Sequence, residues 1–370
     1  MKPAMRSIAL ATAAVAATMA FSSFGASAAE EKVLNVYNWS DYIAEDTIKN
    51  FEKRTGIKVR YDVFDSNEVL EAKLLAGSTG YDVVVPSASF LARQIKAGVF
   101  RKLDKSKLTN WGNLDPKLLA RLAKYDPNNA HAIPYMWGTT GFGYNIDKVK
   151  KLLPDAPVDS WRMLFDPKVV SKLKSCGVTL LDAPTEVISA ALKYAGHNPN
   201  SQKKADLKVA EKLLMKVRPY FKYFHSSQYI NDLANGETCV AMGWSGDVLM
   251  ARDRADEAKK GVHIAYTIPK EGALLWFDTM AIPADAPHPN NATKFLNYIL
   301  EPKVAAAISN YVFYANPNAA ATAYVDDDVK SDPGIYPTAK VKKNLFTATV
   351  NTPKFDRLLT RAWTRIKTGQ

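Results

Sequence analysis

The first part of the chain alternates short runs of β-branched and aromatic residues with amphipathic helical patterns. The runs predict strands at 33–37, 58–64 and 82–85. The patterns between them predict one helix over 43–54, which Gly56 ends, and another from the polar stretch 65–68 to Gly77. Strands separated by helices in units of this size pair in parallel through right-handed crossovers. We therefore predict an α/β lobe for this part of the chain.

A long segment rich in glycine and aromatic residues, 132–145, breaks this rhythm in the manner of a strand that crosses between two lobes. A second alternating set follows, with strands predicted at 178–181 and 239–243 and helices at 185–195, 204–217 and up to Lys259. Residues 263–269 are predicted to cross back, and residues 274–282 and 291–311 to rejoin the first lobe. Two crossings imply two lobes, each discontinuous in sequence and joined by a hinge.

The length of the chain supports this division. A chain of 370 residues is too long for a single core, because domains rarely grow beyond about 250–300 residues. The predicted boundaries assign 29–137 and 263–322 to the first lobe, and 138–262 and 323–370 to the second.

The extreme N-terminus has the pattern of a secretory signal peptide. Lys2 and Arg6 precede an apolar run over 8–21, and the small residues Ala26, Ser27 and Ala28 follow it. The apolar run is too short to span a bilayer, and the small residues fit cleavage after Ala28. We therefore expect residues 1–28 to be removed and the mature protein to be soluble and exported.

The composition is that of a globular protein, with 47% apolar and 23% charged residues. The net charge of +12 falls to +10 (12 − 2) without Lys2 and Arg6, yet the basic residues are spread evenly, so no nucleic-acid partner is expected. Two cysteines, Cys176 and Cys239, are too few for a metal set. In an exported protein such a pair is most simply one disulfide.

Signatures of catalysis are scarce. Residues 243–247 resemble a nucleophile elbow but lack the second glycine at 247. The five histidines lack the spacing of a zinc site, and no glycine-rich phosphate loop follows the first strand. We expect no enzyme, no metal and no cofactor.

A tryptophan followed closely by an aspartate occurs three times, each time just beyond a predicted strand. The three pairs are Trp39 with Asp41, Trp244 with Asp247, and Trp276 with Asp278. Ligands of open α/β folds bind beyond the carboxyl ends of the strands, so all three pairs are placed to face one cleft. An aromatic face beside a carboxylate suits a cation, because the ring attracts it and the carboxylate adds a charge-assisted hydrogen bond.

Each pair also has a structural interpretation, in which the aspartate caps a helix and the tryptophan belongs to the core. The recurrence in two lobes favours a binding site. Three further residues are candidates for the binding site, and each of them also has a structural interpretation. Glu186 is either a site carboxylate or a first-turn helix acid, Ser87 a ligand hydroxyl or a cap, and Tyr314 a cleft wall or core.

Five segments of the sequence resemble the periplasmic polyamine-binding proteins of ABC importers, and among them the putrescine-binding branch. The segments are YNWSDY at 37–42, VPSASFL at 85–91, YMWGTTG at 135–141, HSSQYINDL at 225–233 and PKEGA at 269–273. The resemblance extends over essentially the whole mature chain.

The resemblance implies a two-lobed α/β periplasmic binding protein of type II, similar to cluster D, in which each lobe is a mixed sheet flanked by helices. It implies a monomer that closes on a polyamine and delivers it to an inner-membrane ABC permease. It further implies that five aromatic residues line the slot around the methylene chain: Trp39, Tyr42, Trp244, Trp276 and Tyr314. The residues implied around the ammonium ends are Ser40, Asp41, Ser87, Glu186, Asp247 and Asp278.

The identity of the polyamine stays open at Trp276. Relatives of this kind carry either Phe or Trp there, and the residue varies with the preferred polyamine. Putrescine is the expected ligand, with a spermidine-preferring protein as the alternative. An exported hydrolase of the glycosidase type would also need acids and aromatics in a cleft, but it would form product where a binding protein returns its ligand unchanged.

Overall fold

The structure, a computed structural model, describes residues 30–370. The predicted signal peptide, 1–28, lies outside the described residues. The strands are β1 Val33–Trp39, β2 Lys58–Phe64, β3 Val83–Val84, β4 Ala132–Asn145, β5 Val178–Leu180, β6 Tyr223–Phe224, β7 Val240–Trp244, β8 Ile264–Thr267 and β9 Leu275–Ala281.

The α-helices lie between and after these strands. Their bounds are α1 Glu45–Thr55, α2 Asn67–Ala76, α3 Ala88–Lys96, α4 Pro116–Leu122, α5 Ile146–Leu152, α6 Arg162–Phe165, α7 Pro167–Leu173, α8 Pro184–Tyr194, α9 Lys204–Val217, α10 Tyr229–Ala234, α11 Ser245–Ala258, α12 Pro289–Ile299, α13 Pro302–Val312, α14 Asp327–Ser331, α15 Ala339–Lys342 and α16 Pro353–Thr368.

The first lobe is built on a mixed sheet in the order β2-β1-β3-β9-β4. β1 pairs in parallel with β2 and β3, as the alternating pattern predicts, whereas β9 runs antiparallel to β3 and β4. The ends of the first two helices follow their sequence signals. Gly56 ends α1 with a left-handed φ of 67°, and the Ser66 hydroxyl caps α2 by accepting from the Val69 N–H.

The second lobe is built on β6, β5, β7 and the far half of β4, with β8 on the other side of β4. β4 is shared, because residues 132–139 pair with β9 and residues 140–144 pair with β7. The chain therefore enters the second lobe between Thr139 and Thr140, close to the predicted boundary at 137/138. This long strand is the crossing predicted for 132–145.

The return to the first lobe lies later than the sequence suggests. Ile264–Thr267, within the segment predicted to cross back, forms β8 and pairs antiparallel with Phe142 to Asn145 of β4 in the second lobe. The chain joins the first sheet only at Leu275. The periodicity of a strand does not identify its hydrogen-bonding partner, so the pattern did not distinguish the two arrangements.

The C-terminal region contacts both lobes. α16 packs against α8 and α9 of the second lobe. Before it, Val325, Val329 and Ile335 pack with Leu249 of α11 and with Ala305 of α13, and thus with one helix from each lobe. No helix within residues 30–370 has the length and apolar character needed to cross a membrane.

The predicted disulfide is confirmed. Cys176 precedes β5 and Cys239 precedes β7, and the two are bonded with their Cα atoms 5.4 Å apart. β5 and β7 are parallel neighbours in the second sheet. The bond therefore ties together the starts of two adjacent strands.

Candidate functional site

A cavity of about 420 Å³ lies where strands of both lobes end. Trp39, Phe64 and Trp244 are the last residues of β1, β2 and β7, and all three line it. The lining residues are Trp39, Ser40, Tyr42, Phe64, Asp65, Ser87, Glu186, Ser226, Ser227, Trp244, Asp247, Trp276, Asp278 and Tyr314. The cavity thus occupies the carboxyl ends of the strands, where ligands of open α/β sheets bind.

The structure brings ten of the eleven predicted site residues together around this cavity. The exception is Asp41. Its carboxylate accepts a hydrogen bond from Arg254 Nη2 at 2.7 Å, and its side chain is 40% exposed. Ser40 lines the cavity, and its backbone N–H donates to the carbonyl of Phe64.

Aromatic rings from both lobes form the walls. Trp39 of the first lobe meets Trp244 of the second edge-on, with ring centroids 5.3 Å apart. Tyr42 and Trp276 both pack edge-on against Tyr314, at 5.1 and 5.3 Å. Perpendicular contacts of this kind are favoured by the ring quadrupoles, so the walls are held by their own packing.

Two glycines allow this packing. A Cβ atom at Gly138 of β4 would lie 2.7 Å from the Trp276 ring, and one at Gly246 of α11 would lie 2.4 Å from the Tyr314 ring. A side chain at either position would displace a wall residue, since contacts this close are repulsive.

Asp278 is the acid at one side of the cavity. It lies in the middle of β9, not at a strand end as the sequence suggested. An isolated backbone β-bridge pairs it with Ser87, which follows β3. Its carboxylate accepts from Ser87 Oγ at 2.5 Å and from the Tyr42 hydroxyl at 2.9 Å. Burial raises the pKa of Asp278 to about 7 against these two hydrogen bonds, and the charge of Asp247 adds to the rise.

Asp247 is the second acid, in the first turn of α11. It accepts from the hydroxyl of Tyr314 at 2.6 Å and from that of Tyr229 at 2.7 Å. Burial again raises the pKa of Asp247 to about 7. Because Tyr314 belongs to the first lobe and Asp247 to the second, this hydrogen bond joins the lobes.

Glu186, in the first turn of α8, is the third acid. Its carboxylate accepts from Thr140 Oγ1 and, at 3.0 Å, from Trp244 Nε1. Burial raises the pKa of Glu186 to about 7, with a contribution from Asp278. Ser87 occupies the N-cap position of α3, and Asp247 and Glu186 lie in the first turns of their helices, as the structural alternatives predicted. No side-chain capping hydrogen bond forms at these three helix starts, and all three side chains line the cavity.

The charges around the cavity all have one sign. Asp65, Glu186, Asp247 and Asp278 line it, and no Lys, Arg or His side chain of the described chain does. Buried carboxylates without a basic partner are costly, and a cation that enters between them removes that cost. The aromatic faces add an attraction of about 0.5–2 kcal/mol for each cation placed over a ring.

A metal is a poor fit to these acids. Within residues 30–370 there is no group of three or more His, Cys, Asp and Glu side chains that could hold one. The acids of the cavity are instead separated by aromatic rings and satisfied by hydroxyl donors. The arrangement suits an organic cation with an apolar body and more than one charged end.

Four lining residues were not among the predicted ones: Phe64, Asp65, Ser226 and Ser227. Phe64 and Asp65 had a signal in the sequence. β1 and β2 pair in register from Val33 with Lys58 to Trp39 with Phe64, so Phe64 and Asp65 lie beside Trp39 and Ser40. The two serines follow β6 and lie within the segment 225–233, but nothing in their spacing assigned them to the cavity.

Comparisons with known proteins show which family the chain resembles. Residues 46–338 match the family described as bacterial extracellular solute-binding protein. The chain is 60% identical over 358 residues to the putrescine-binding periplasmic protein PotF of Escherichia coli, covering 96% of this chain and 97% of that protein. A putrescine/agmatine-binding protein of Pseudomonas aeruginosa is 45% identical over 356 residues, covering 96% of each chain.

A solved structure is also similar to the chain. The spermidine/putrescine ABC transporter substrate-binding protein PotD of Streptococcus pneumoniae matches with a TM-score of 0.72 at 28% identity, covering 92% of this chain and 99% of that one.

Proposed function

The chain belongs to the bacterial extracellular solute-binding proteins, and we propose that it captures a linear polyamine, putrescine first, for an inner-membrane ABC permease. The observation that carries this proposal is the cavity itself, in which aromatic walls separate buried acids and no basic side chain intervenes. The relatives named above bind putrescine, agmatine or spermidine according to their names.

The shape of the ligand follows from the order of the groups. Rings of Trp39, Trp244 and Trp276 offer an apolar passage for a methylene chain, with a gain of about 0.8 kcal/mol for each buried CH₂. Asp278 with Ser87 lies in the first lobe, and Asp247 and Glu186 lie in the second. A diamine that reaches both sets of acids holds the lobes together.

The protein works in the periplasm, where the relative from Escherichia coli is located by its name. The predicted signal peptide, 1–28, would direct it there. We expect it to act as a monomer, because one chain supplies both walls of the cavity. The permease, and not this chain, would belong to the machinery that uses ATP.

A spermidine-preferring protein is the second candidate, and one residue favours it. The indole of Trp276 presents a larger face than a phenyl ring and therefore a better surface for an ammonium in mid-chain. The hydrolase alternative has no comparable support, since the matched relatives are binding proteins by name.

Calorimetric titration of the mature protein with putrescine, cadaverine, spermidine and spermine tests the proposal. We expect one site per chain, tighter binding of putrescine or spermidine than of cadaverine, and full recovery of unchanged ligand. Solution scattering is expected to give a smaller radius of gyration at saturation, because the ligand favours the closed arrangement. Absence of binding to all four amines would refute the proposal.

A further inference from the structure

A second chamber of about 520 Å³ adjoins the cavity. The two share five wall residues: Trp39, Ser87, Glu186, Trp244 and Trp276. The second chamber contains one acid that the proposed function has not used, Glu68 of α2. The sequence places Glu68 only in the polar stretch that begins α2.

Three groups favour the ionised form of Glu68: its own backbone N–H, the Thr185 hydroxyl and the charge of Arg93. Thr185 Oγ1 donates to its Oε1 at 3.3 Å, and Glu186 on the neighbouring helix is negatively charged when ionised. The nearest basic group, Arg93, is occupied by Glu71 at 2.5 Å and by Asp356 at 3.1 Å. Tyr125 also lines the chamber, but its hydroxyl donates to the carbonyl of Ala348.

The two chambers together hold four hydrogen-bonded carboxyl groups, which we call the carboxyl cluster: Glu68, Glu186, Asp247 and Asp278. Asp247 and Asp278 are buried, and Glu68 and Glu186 are half-buried. The charged groups facing it are few. Asp65 lines the first cavity, and the pair of Asp41 with Arg254 acts on Asp247 from outside. Neither chamber has a Lys or Arg in its wall, as far as the described residues extend.

Four such acids cannot all be ionised at once without a cation, because like charges in a poorly hydrated space repel strongly. The hydroxyl donors Tyr42, Tyr229 and Tyr314 are neutral and stabilise the ionised form only in part. Burial accordingly raises the pKa of Glu68 to about 7, as it does for the other three. In the closed arrangement, a site without a cation therefore retains protons near neutral pH.

We propose that capture of a polyamine is coupled to release of protons from the carboxyl cluster, and that Glu68 is the member that holds a proton in the second chamber. The inference rests on the proposed function, in that the ligand is a polycation. The exchange balances in charge: a diammonium ion enters, and carboxyl O–H bonds lose their protons to solvent as the carboxylates pair with it. The ammonium groups keep their own protons, since amines of this kind lose them only near pH 10.

The affinity is then expected to rise with pH below neutrality. Each proton released at binding gives about a tenfold gain in affinity per pH unit. At pH 6 a group with a pKa of about 7 is mostly protonated, and a diammonium ion neutralises two carboxylates. We therefore expect the release of about one to two protons per putrescine at pH 6, falling towards none at pH 8.5.

Titration calorimetry with putrescine at pH 6, in buffers that differ in ionisation enthalpy, counts these protons directly. The slope of the binding heat against the buffer enthalpy gives the number released. A measurable heat with zero slope would overturn the coupling while leaving the proposed function intact. No heat with any polyamine would overturn the proposed function, and the coupling with it.

The role of Glu68 is tested by Glu68→Gln. Glu52→Gln of α1 is the control, because Glu52 lines neither chamber and pairs with Lys58. We expect Glu68→Gln to bind putrescine and to release measurably fewer protons at pH 6, with the melting curve reporting on folding. The control should release the same number as the parent protein. An unchanged count in a folded Glu68→Gln protein would exclude Glu68 from the cluster.

Discussion

Arg254 Nη2 lies 2.7 Å from Asp41 Oδ1, so an ion pair joins α11 of the second lobe to the loop after β1 of the first. Arg254 also donates to Asn231 Oδ1 at 3.0 Å, and Asp41 holds a left-handed φ of 52°. The pair lies outside the cavity wall and next to Ser40, which is part of it. Its position suits a latch between the two lobes.

Removal of this latch should change ligand release more than ligand contacts. An exposed ion pair contributes about 0.2–1 kcal/mol, so Arg254→Gln is expected to weaken putrescine binding by at most about fivefold, mainly through faster dissociation. Stopped-flow tryptophan fluorescence measures both rates. Arg365→Gln is the control, because Arg365 pairs with Glu211 within the second lobe. A loss above about thirtyfold would assign Asp41 or Arg254 to the ligand contacts instead.

Asp278→Asn should abolish most of the affinity while sparing the fold. The change keeps the shape beside Ser87 and Tyr42 but removes the charge that the proposed function pairs with a ligand ammonium. Leaving a buried charge without its partner costs about 2–5 kcal/mol, or roughly thirty to several thousand-fold in affinity.

Calorimetry together with the melting curve separates a counter-ion role of Asp278 from a role in folding. The measurements are made at moderate salt so that long-range charge effects are screened. Ser87→Ala is the matched control, since it removes one hydrogen bond to the same carboxylate and retains the charge. Its expected loss is about tenfold or less. A loss under about threefold for Asp278→Asn in a folded protein would contradict the counter-ion role.

The parts of the site that could be predicted from the sequence follow a local rule. Trp39 and Trp244 are the last residues of their strands, and parallel strands place such residues at one edge of a sheet. The alternation of strands and helices was sufficient for this. The same rule, applied to the register of β1 and β2, would also have found Phe64.

The parts that could not be predicted depend on partners distant in sequence. The salt bridge of Asp41 spans 213 residues, and the hydrogen bond of Asp278 to Tyr42 spans 236. The sequence of β8 has the pattern of a strand, but that pattern does not identify the strand with which β8 pairs. The lobe to which β8 belongs could therefore not be predicted. Glu68 lines a chamber beside Thr185 of α8, 117 residues away in sequence, and the start of a helix explains its sequence position equally well.

Trp276→Phe should discriminate between polyamines by length. Trp276 lines both chambers, and its indole N–H has no hydrogen-bond acceptor among the described side chains and backbone, so the smaller ring costs no hydrogen bond. A lost cation–π contact of about 0.5–2 kcal/mol should weaken spermidine by roughly two- to thirtyfold and putrescine less.

Trp39→Phe provides the comparison for this length effect. The Trp39 indole donates to the carbonyl of Val85 at 2.8 Å, so its loss should affect both amines alike. Titration of each variant with putrescine and spermidine measures the two ratios. Equal losses for both amines in Trp276→Phe would make Trp276 a general wall of the cavity.

The disulfide should stabilise the protein without affecting binding. Cys176 and Cys239 are 63 residues apart, and closing a loop of this length is worth roughly 4 kcal/mol in the chain-entropy account. Neither cysteine lines a chamber. Replacing both by serine is expected to lower the unfolding free energy in urea by about that amount and to leave putrescine affinity within about twofold. Two reactive thiols in the denatured, unreduced protein would contradict the bond.

The stability of the ligand-free protein should fall as the pH rises from about 5 to 8. Burial raises the pKa of Glu68, Glu186, Asp247 and Asp278 to about 7, well above the values of the unfolded chain. In this window the folded state therefore binds more protons than the unfolded state, and ionising the cluster costs free energy that unfolding recovers. Each unit of pKa separation corresponds to about 1.4 kcal/mol, so we expect a loss of at least about 2 kcal/mol.

Urea unfolding at pH 5, 6, 7 and 8, without ligand and with saturating putrescine, measures this dependence. Bound diamine should flatten the curve, because it supplies the missing positive charge, and Glu186→Gln should flatten it in part. Asp147 raises the pKa of His263, so loss of the His263 proton also lowers stability as the pH rises. The measurements are therefore made in a His263→Gln protein, which lacks this contribution. The acids whose pKa is lowered, Glu52 and Asp206 among them, change stability below this window. Constant stability of ligand-free His263→Gln from pH 5 to 8 would mean that the cluster carries its charges without protons, and that the ligand meets a fully ionised site.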